Sequence, residues 1–342
     1  MSAGMLFSTI ARLSELTDGQ EGDFFVLMTL KEQLKTRDGK PYVRVGFRDG
    51  QREVAFPIWC DAPLAEECQG WQVGEFYKIR GVYRETTYGP QIEIRKIRLV
   101  NDADRADGFD PEGFQPRSRV EPQEMFDELT SLVVEKIAGR DLRALVLHIL
   151  MTHRDELLRL PAAARNHHAY RGGWLEHVLS VTRTCIYLAE KYAEAYSDLR
   201  PPLDKDLVIA GGVLHDIGKL RELSVGPVGA DHTPEGQLIG HVLQGRDMVR
   251  EAAAECAATG DCRLDAETLL RLEHIIVSHQ RLPEWGSPKP PMTPEAVLVH
   301  YADDMDAKFQ MMYEALAEDT AVGPLTSRNN GLRQRVFRGM RG

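Results

Sequence analysis

The sequence predicts two domains of different class, a small all-β barrel followed by an all-α helical bundle, and three observations carry that prediction. From Asp23 to about Val100 the apolar residues alternate with a period of two. From Glu124 onward they recur at helical spacing, and the breakers Pro161, Pro201-Pro202, Pro227 and Pro283 to Pro291 fall between the helical stretches. A chain of 342 residues is also long for one core and comfortable for two. The expected boundaries are a barrel over 1–105, a linker over 106–123, a helical domain over 124–320 and a tail over 321–342.

In the barrel, Val43, Val45 and Phe47 point inward, while Tyr42, Arg44 and Arg48 point outward. Asp49-Gly50 is a hairpin signal, and Glu53 to Trp59 forms the next strand. A short helical insert around Ala62 to Cys68 precedes strands over Phe76–Arg84 and Gln91–Leu99, joined by the turn at Tyr88-Gly89-Pro90. Five strands of this length suit an OB-like fold, which hides most strand edges and offers one face to single-stranded nucleic acid. Such binding uses cations along the backbone path and aromatics beneath the bases, each stacked base being worth roughly 1–3 kcal/mol. The candidates are Tyr42, Trp59, Tyr83 and Tyr88, with Arg44, Arg80, Arg84 and Arg95 beside them. Alternation alone leaves open that these aromatics are ordinary core and the cations an ordinary polar face.

The stretch Asn101 to Gln123 is rich in Asp, Gly and Pro and has no apolar period, the signature of a linker. Helices are predicted over 124–138, 140–153, 174–196, 205–216, 238–258, 266–279 and 293–316. Within them the segment Leu207 to Leu220, LVIAGGVLHDIGKL, carries an apolar run into His215 and Asp216. Buried ionisable groups cost several kcal/mol unless partnered, so this pair calls for a cation, the alternative being an exposed His-Asp-Lys cluster after a helix that stops at Gly218. His177, His241, His274, His279 and Asp303 supply further imidazoles and a carboxylate, each on a predicted helix, with no thiolate among them.

The order His, His-Asp, His, His, Asp resembles the HD metal-dependent phosphohydrolase superfamily. The phrases HHAYRGGWLEHVLSV, GQLIGHV, HIIVSHQ, EWGSPKPPMTPEA and LVHYADDMDAKFQMM, preceded by an OB-like segment, resemble the YhaM-type 3′-to-5′ exoribonucleases over nearly the whole chain, including the arginine-rich tail at Arg335 to Arg338. The resemblance implies a first metal site of His177, His215, Asp216 and Asp303, with Asp216 bridging to a second ion held by His241 and His279. Imidazole and oxygen ligands suit one or two Mn, Mg, Fe or Co ions without choosing among them. Asp216 and Lys219 are the candidate catalytic pair, the lysine offering its ammonium to a phosphate or standing solvated after the helix. His274, five positions before His279, is a substrate contact, a ligand or a core histidine, and His168 is a candidate substrate contact or a surface histidine. Gln280 departs from the adjacent histidines of many relatives.

The implied activity is a metal-dependent 3′-to-5′ exonuclease on single-stranded RNA, with single-stranded DNA as a second candidate substrate. The alternatives are an HD-type nucleotide or cyclic-dinucleotide phosphohydrolase, and a non-catalytic single-strand-binding protein with a decayed site. Charge bears on this. The net charge is −10, and while residues 1–100 hold 14 basic and 14 acidic side chains, the remainder hold 28 and 38. Nucleic acid must therefore be gripped locally, against long-range repulsion. Five cysteines without a CxxC pair suit a reducing compartment, and no run approaches the roughly 20 apolar residues that span a bilayer. The sequence therefore points to a cytoplasmic protein with no membrane partner.

Overall fold

The computed structural model describes residues 10–340 except 37, 88, 115–117, 165–167, 169, 227–228, 320 and 322. Tyr88 lies outside the described residues. The chain divides into two compact units, one of residues 1–116 with 226–229 and the other of residues 117–225 with 230–342.

The first unit is an antiparallel sheet of β2 (Glu21–Lys35), β3 (Pro41–Arg48), β4 (Glu53–Trp59), β5 (Phe76–Thr86) and β6 (Gly89–Leu99). A two-residue strand, β1 (Ile10–Ala11), runs parallel to β2. The strand order is β4-β3-β2-β5-β6, with a short helix, α1 (Ala65–Gln69), between β4 and β5. One long central strand shared by two hairpins, and the two outer strands brought together, is the topology of an OB-like barrel. Phe24, Val26 and Met28 of β2 join Val45, Phe47, Ile58 and Ile79 in the interior. The intervening Phe25 and Leu27 face the other way and are covered by Phe109 and Phe114. Both faces of β2 are therefore buried, which is why Phe24 to Met28 read as an unbroken apolar run.

Part of the stretch predicted as linker is thereby used to cover the sheet. Residues 102–107 and 111–114 form 3₁₀ turns, and buried Asp104 accepts hydrogen bonds from Arg98 at 2.6 and 2.7 Å. The apolar contribution of this segment comes from two isolated phenylalanines, too few to show a period.

The second unit contains α2 (Pro122–Lys136), α3 (Arg140–Thr152), α4 (Arg154–Leu157), α5 (Gly173–Ala195), α6 (Lys205–Leu214), α7 (Lys219–Glu222), α8 (Pro234–Ile239), α9 (His241–Thr259), α10 (Ala266–Ser278) and α11 (Pro294–Glu318). Helix α6 is central, with every residue from Leu207 to Leu214 buried, and α3, α5, α10 and α11 pack around it. The predicted helix over 238–258 is split, because Gly240 has φ 78° and separates α8 from α9. A three-residue hairpin, β7 (Leu223–Val225) with β8 (Ala230–His232), interrupts the helices and is too short to have shown alternation in the sequence. After α11, Leu325 and Phe337 form a bridge, and Arg338 pairs with Asp319 at 2.5 Å. Among the described residues, no helix is long and apolar enough to cross a membrane.

Candidate metal centre

The second unit brings six of the predicted ligands into one buried cluster. His177 lies in the second turn of α5 and is fully buried. Helix α6 ends by delivering His215 and Asp216 from its apolar run, and the turn that follows is fixed by the Trp174 indole, which donates to the Asp216 backbone carbonyl at 3.0 Å. A Cβ at Gly218 would stand 2.0 Å from the His241 carbonyl oxygen, so only glycine lets the start of α9 approach this turn. His279 caps the end of α10, and Asp303 lies within α11.

Four side-chain atoms converge first. His177 Nε2 is 3.3 Å from His215 Nε2, 3.3 Å from Asp303 Oδ1 and 3.7 Å from Asp216 Oδ2. His215 Nε2 is 3.7 Å from the same Asp216 oxygen and 3.8 Å from Asp303 Oδ1. Four ligands about 2.1 Å from one centre stand roughly 3.0–3.4 Å apart, so a small contraction closes this set on an ion. The other oxygen of Asp216 faces a second set, with His241 Nε2 at 3.3 Å and His279 Nε2 at 3.5 Å.

The hydrogen bonds on the far side of each ring prepare all four imidazoles as ligands. His177 Nδ1 bonds Asp306 at 2.7 Å, His215 Nδ1 the Gly212 carbonyl at 2.9 Å, His241 Nδ1 Glu222 at 2.9 Å, and His279 Nδ1 the Ile276 carbonyl at 2.7 Å. Each acceptor fixes a proton on Nδ1, so that Nε2 is the nitrogen aimed into the cluster to bind an ion. Asp216 Oδ1 and His241 Nε2 are buried without a hydrogen-bond partner. Two acceptors facing one another are a place that a cation would fit.

The electrostatics agree. Burial opposes the charge of Asp216, but Lys219 and the surrounding histidines hold its carboxyl well below the usual range. Burial pushes His215 down to about 4, keeping it neutral. For His177 burial also works against the proton, yet Asp303 and Asp306 outweigh it and raise the imidazole to about 9. The carboxylates of Asp216, Asp303 and Asp306 outnumber the cations beside them, Lys219 and the His177 imidazolium, an excess of negative charge that a divalent ion would neutralise.

The remaining predicted residues separate into distinct roles. Lys219 is buried, with Nζ 2.7 Å from Asp216 Oδ2 and a second hydrogen bond to the Ala162 carbonyl. His168 is buried too, with Nδ1 2.6 Å from the Tyr170 hydroxyl and Nε2 3.3 Å from Asp306, and so stands behind His177 and not on the surface. His274 lies outside the cluster: its Nε2 accepts from the Met292 amide at 2.8 Å, and burial lowers its pKa. Gln280 Nε2 is 3.1 Å from His279 Nε2, which puts an amide at the edge of the second set.

In the barrel, Tyr42 and Trp59 are cross-strand partners with ring centroids 5.4 Å apart, and Trp59 is 43% exposed. Leu34 of β2 pairs with Tyr42, extending the row across three strands, and Arg44 is exposed beside it. Tyr83 is instead in the barrel interior, because it shares the inward phase of Tyr77 and Ile79. Arg80 is held by Asp23 at 2.5 Å, while Glu93 lies 3.2 Å from Arg84 and 3.6 Å from Arg95. Arg80 and Arg95 line a shallow cavity with Lys78, Lys96 and Arg98.

Sequence reasoning missed the groups behind the ligands. Asp306 is the principal one, receiving His177, His168 and the Ser180 hydroxyl. Its spacing of three from Asp303 puts both on one helical face and was the available signal. Glu222, which orients His241, offered no comparable pattern.

The HD-domain family model matches residues 174–308, a span containing all six converging ligands. Among solved structures, similarity is found to the second OB-fold domain of replication protein A from Methanococcus maripaludis, at 16% identity over 27% of this chain and 95% of that one, with a TM-score of 0.21. A crystal structure of a domain of the same archaeal protein aligns at 14% identity over 27% of this chain and 94% of that one, with a TM-score of 0.22. RecG bound to a three-way DNA junction aligns at 12% identity over 54% of this chain and 26% of that one, with a TM-score of 0.23.

Proposed function

We propose that this protein is a metal-dependent phosphodiesterase that removes nucleotides from the 3′ end of single-stranded RNA, with its barrel holding the strand and its HD domain carrying the chemistry. The observation that supports this most is the position of Asp216. One oxygen faces His177 and His215 with Asp303 alongside, and the other faces His241 and His279. Bound there, one or two divalent ions would supply Lewis-acid charge for a phosphodiester and activate a water. The protein's own part is to hold neutral imidazoles in one tautomer and two carboxylates in one orientation, inside a buried cluster where charge is weakly screened. Lys219 anchors the shared carboxylate and leaves one ammonium proton free for a phosphate oxygen.

Strand affinity is assigned to the row Leu34, Tyr42 and Trp59 with Arg44, where an apolar and aromatic face adjoins a cation. The test is a gel of 5′-labelled RNA and DNA oligonucleotides with purified protein and a panel of divalent ions. A descending ladder from the 3′ end, blocked by a 3′-phosphate, is the expected result. Early internal fragments or attack on circular substrates would replace the exonuclease with an endonuclease. Hydrolysis of free nucleotides alone would favour a nucleotide phosphohydrolase.

A further inference from the structure

We propose that the protein pairs with a second copy of itself through the outer face of α11. Val297, Tyr301, Met305, Phe309 and Tyr313 recur every four residues and are all exposed, Met305 at 58% and Phe309 at 74%. This ridge is separate from the metal centre. At 100° per residue, Asp303 points about 160° away from Met305 and about 120° away from Phe309. Asp303, Ala307 and Gln310, about 140–160° round the helix from Met305, are buried.

The ridge fits a copy of itself. Rows spaced by four are those that interdigitate when two helices cross. Large side chains stand symmetrically about Met305, with Tyr301 four positions before it and Phe309 four after. An antiparallel partner related by a two-fold axis at this point sets Tyr301 against the partner's Phe309 and Met305 against the partner's Met305. The flanking charges are complementary under the same operation. Asp304 and Lys308, 3.5 Å apart within one helix, fall opposite the partner's positions 306 and 302, so each lysine lies about 3 Å along the seam from the other copy's Asp304, on the same flank. Beside the middle of the ridge Lys308 also lies over the Trp285 ring at 5.1 Å, and at its far end Arg119 lies over Tyr313 at 5.4 Å, which supplies polar flanks.

The area is sufficient. Three half-exposed or more exposed aromatics present roughly 300 Å², given about 150–250 Å² per ring. With Val297, Met305 and Leu316 the face reaches on the order of 500 Å², in the upper part of the range of about 300–600 Å² for the largest patch on a monomer, where such patches are often functional. A standard interface covers about 800 Å² per partner, of which roughly 60% is apolar, and this face meets that apolar requirement.

The experiment uses the full chain in sedimentation equilibrium over the micromolar range. The wild type is expected to be a dimer, and Phe309→Glu is expected to raise the dimer dissociation constant by at least about 30-fold. Unchanged circular dichroism and metal content in that variant show that the fold is intact. Lys308→Glu is expected to weaken pairing and the double change Asp304→Lys with Lys308→Glu to restore it. A Met305→Cys variant in a Cys60→Ser background should form a covalent dimer under mild oxidation, because position 305 meets its own copy at the axis. A monomer throughout the range overturns the proposal, as does a dimer unaffected by Phe309→Glu or a Met305→Cys variant that does not cross-link. Loss of nuclease activity leaves this proposal untouched, since none of these residues belongs to the metal centre.

Discussion

Asp216 Oδ1 lies 3.3 Å from His241 Nε2, and neither atom has a hydrogen-bond partner. Two buried acceptors that face each other repel unless a cation stands between them.

Asp216→Asn keeps the shape of the side chain and halves its value as a bridging ligand. Bound divalent metal should fall from both positions and hydrolysis should drop by at least about 1000-fold, while the circular dichroism spectrum is retained. Metal analysis of the purified variant checks it. Full metal content with full activity would remove Asp216 from the centre. Asp216→Ala is a harsher change, since Lys219 is then left buried without its carboxylate at a cost of about 3–5 kcal/mol.

Asp306→Asn weakens the acceptor that orients His177 without touching a ligand atom. Metal affinity should fall about 10- to 100-fold, the usual effect of losing an outer-shell partner. Titration calorimetry with Mn²⁺ measures it, and an unchanged dissociation constant would make Asp306 a purely structural carboxylate.

In the metal-free protein the His177 imidazole is raised to about 9 by Asp303 and Asp306 against the effect of burial. Metal binding at pH 7 should therefore release about one proton, and affinity should rise by up to tenfold per pH unit until about pH 9. The sign for stability is the reverse. A raised histidine pKa contributes stability that is complete below about 6.5, the unfolded value, and lost as pH rises through 9. Chelated protein should thus lose stability between these limits, while metal-loaded protein should not. Calorimetry in buffers of different ionisation enthalpy counts the proton, and zero release would contradict the assignment.

Tyr42→Ala or Trp59→Ala should weaken single-strand binding about 5- to 150-fold, the range of one lost stack, and leave the melting temperature nearly unchanged. Tyr83→Ala should do the opposite, since Tyr83 is in the barrel interior and its loss opens a cavity worth about 3–5 kcal/mol. Fluorescence anisotropy at one fixed salt concentration, with parallel thermal melts, separates the two. Equal binding by all three variants would place the strand elsewhere.

Much of this centre was legible because polar ligands interrupt apolar helices. Leu207 to Leu214 are wholly buried, so His215 and Asp216 at the end of that run had to be buried as well. The parts given to His177, His241 and His279 came from the resemblance to the HD superfamily and not from spacing. What the sequence could not supply was the direction of short contacts across elements. Lys219 reaches back to Asp216 and Ala162 and is not solvated, and His168 points to Asp306 and is not on the surface. Tyr83 was readable in principle, since it shares a two-residue phase with inward Tyr77 and Ile79. Its grouping with the exposed aromatics followed residue type and neglected that phase. The hairpin of β7 and β8 has three residues a side and no period to detect.

The most direct test is anomalous diffraction at the manganese edge from Mn²⁺-loaded crystals of the full chain. The account predicts two peaks about 3.5–4 Å apart, both touching the Asp216 carboxylate, one beside His177, His215 and Asp303 and the other beside His241 and His279. No peak at Asp216, or density confined to His168 and Asp306, would contradict it.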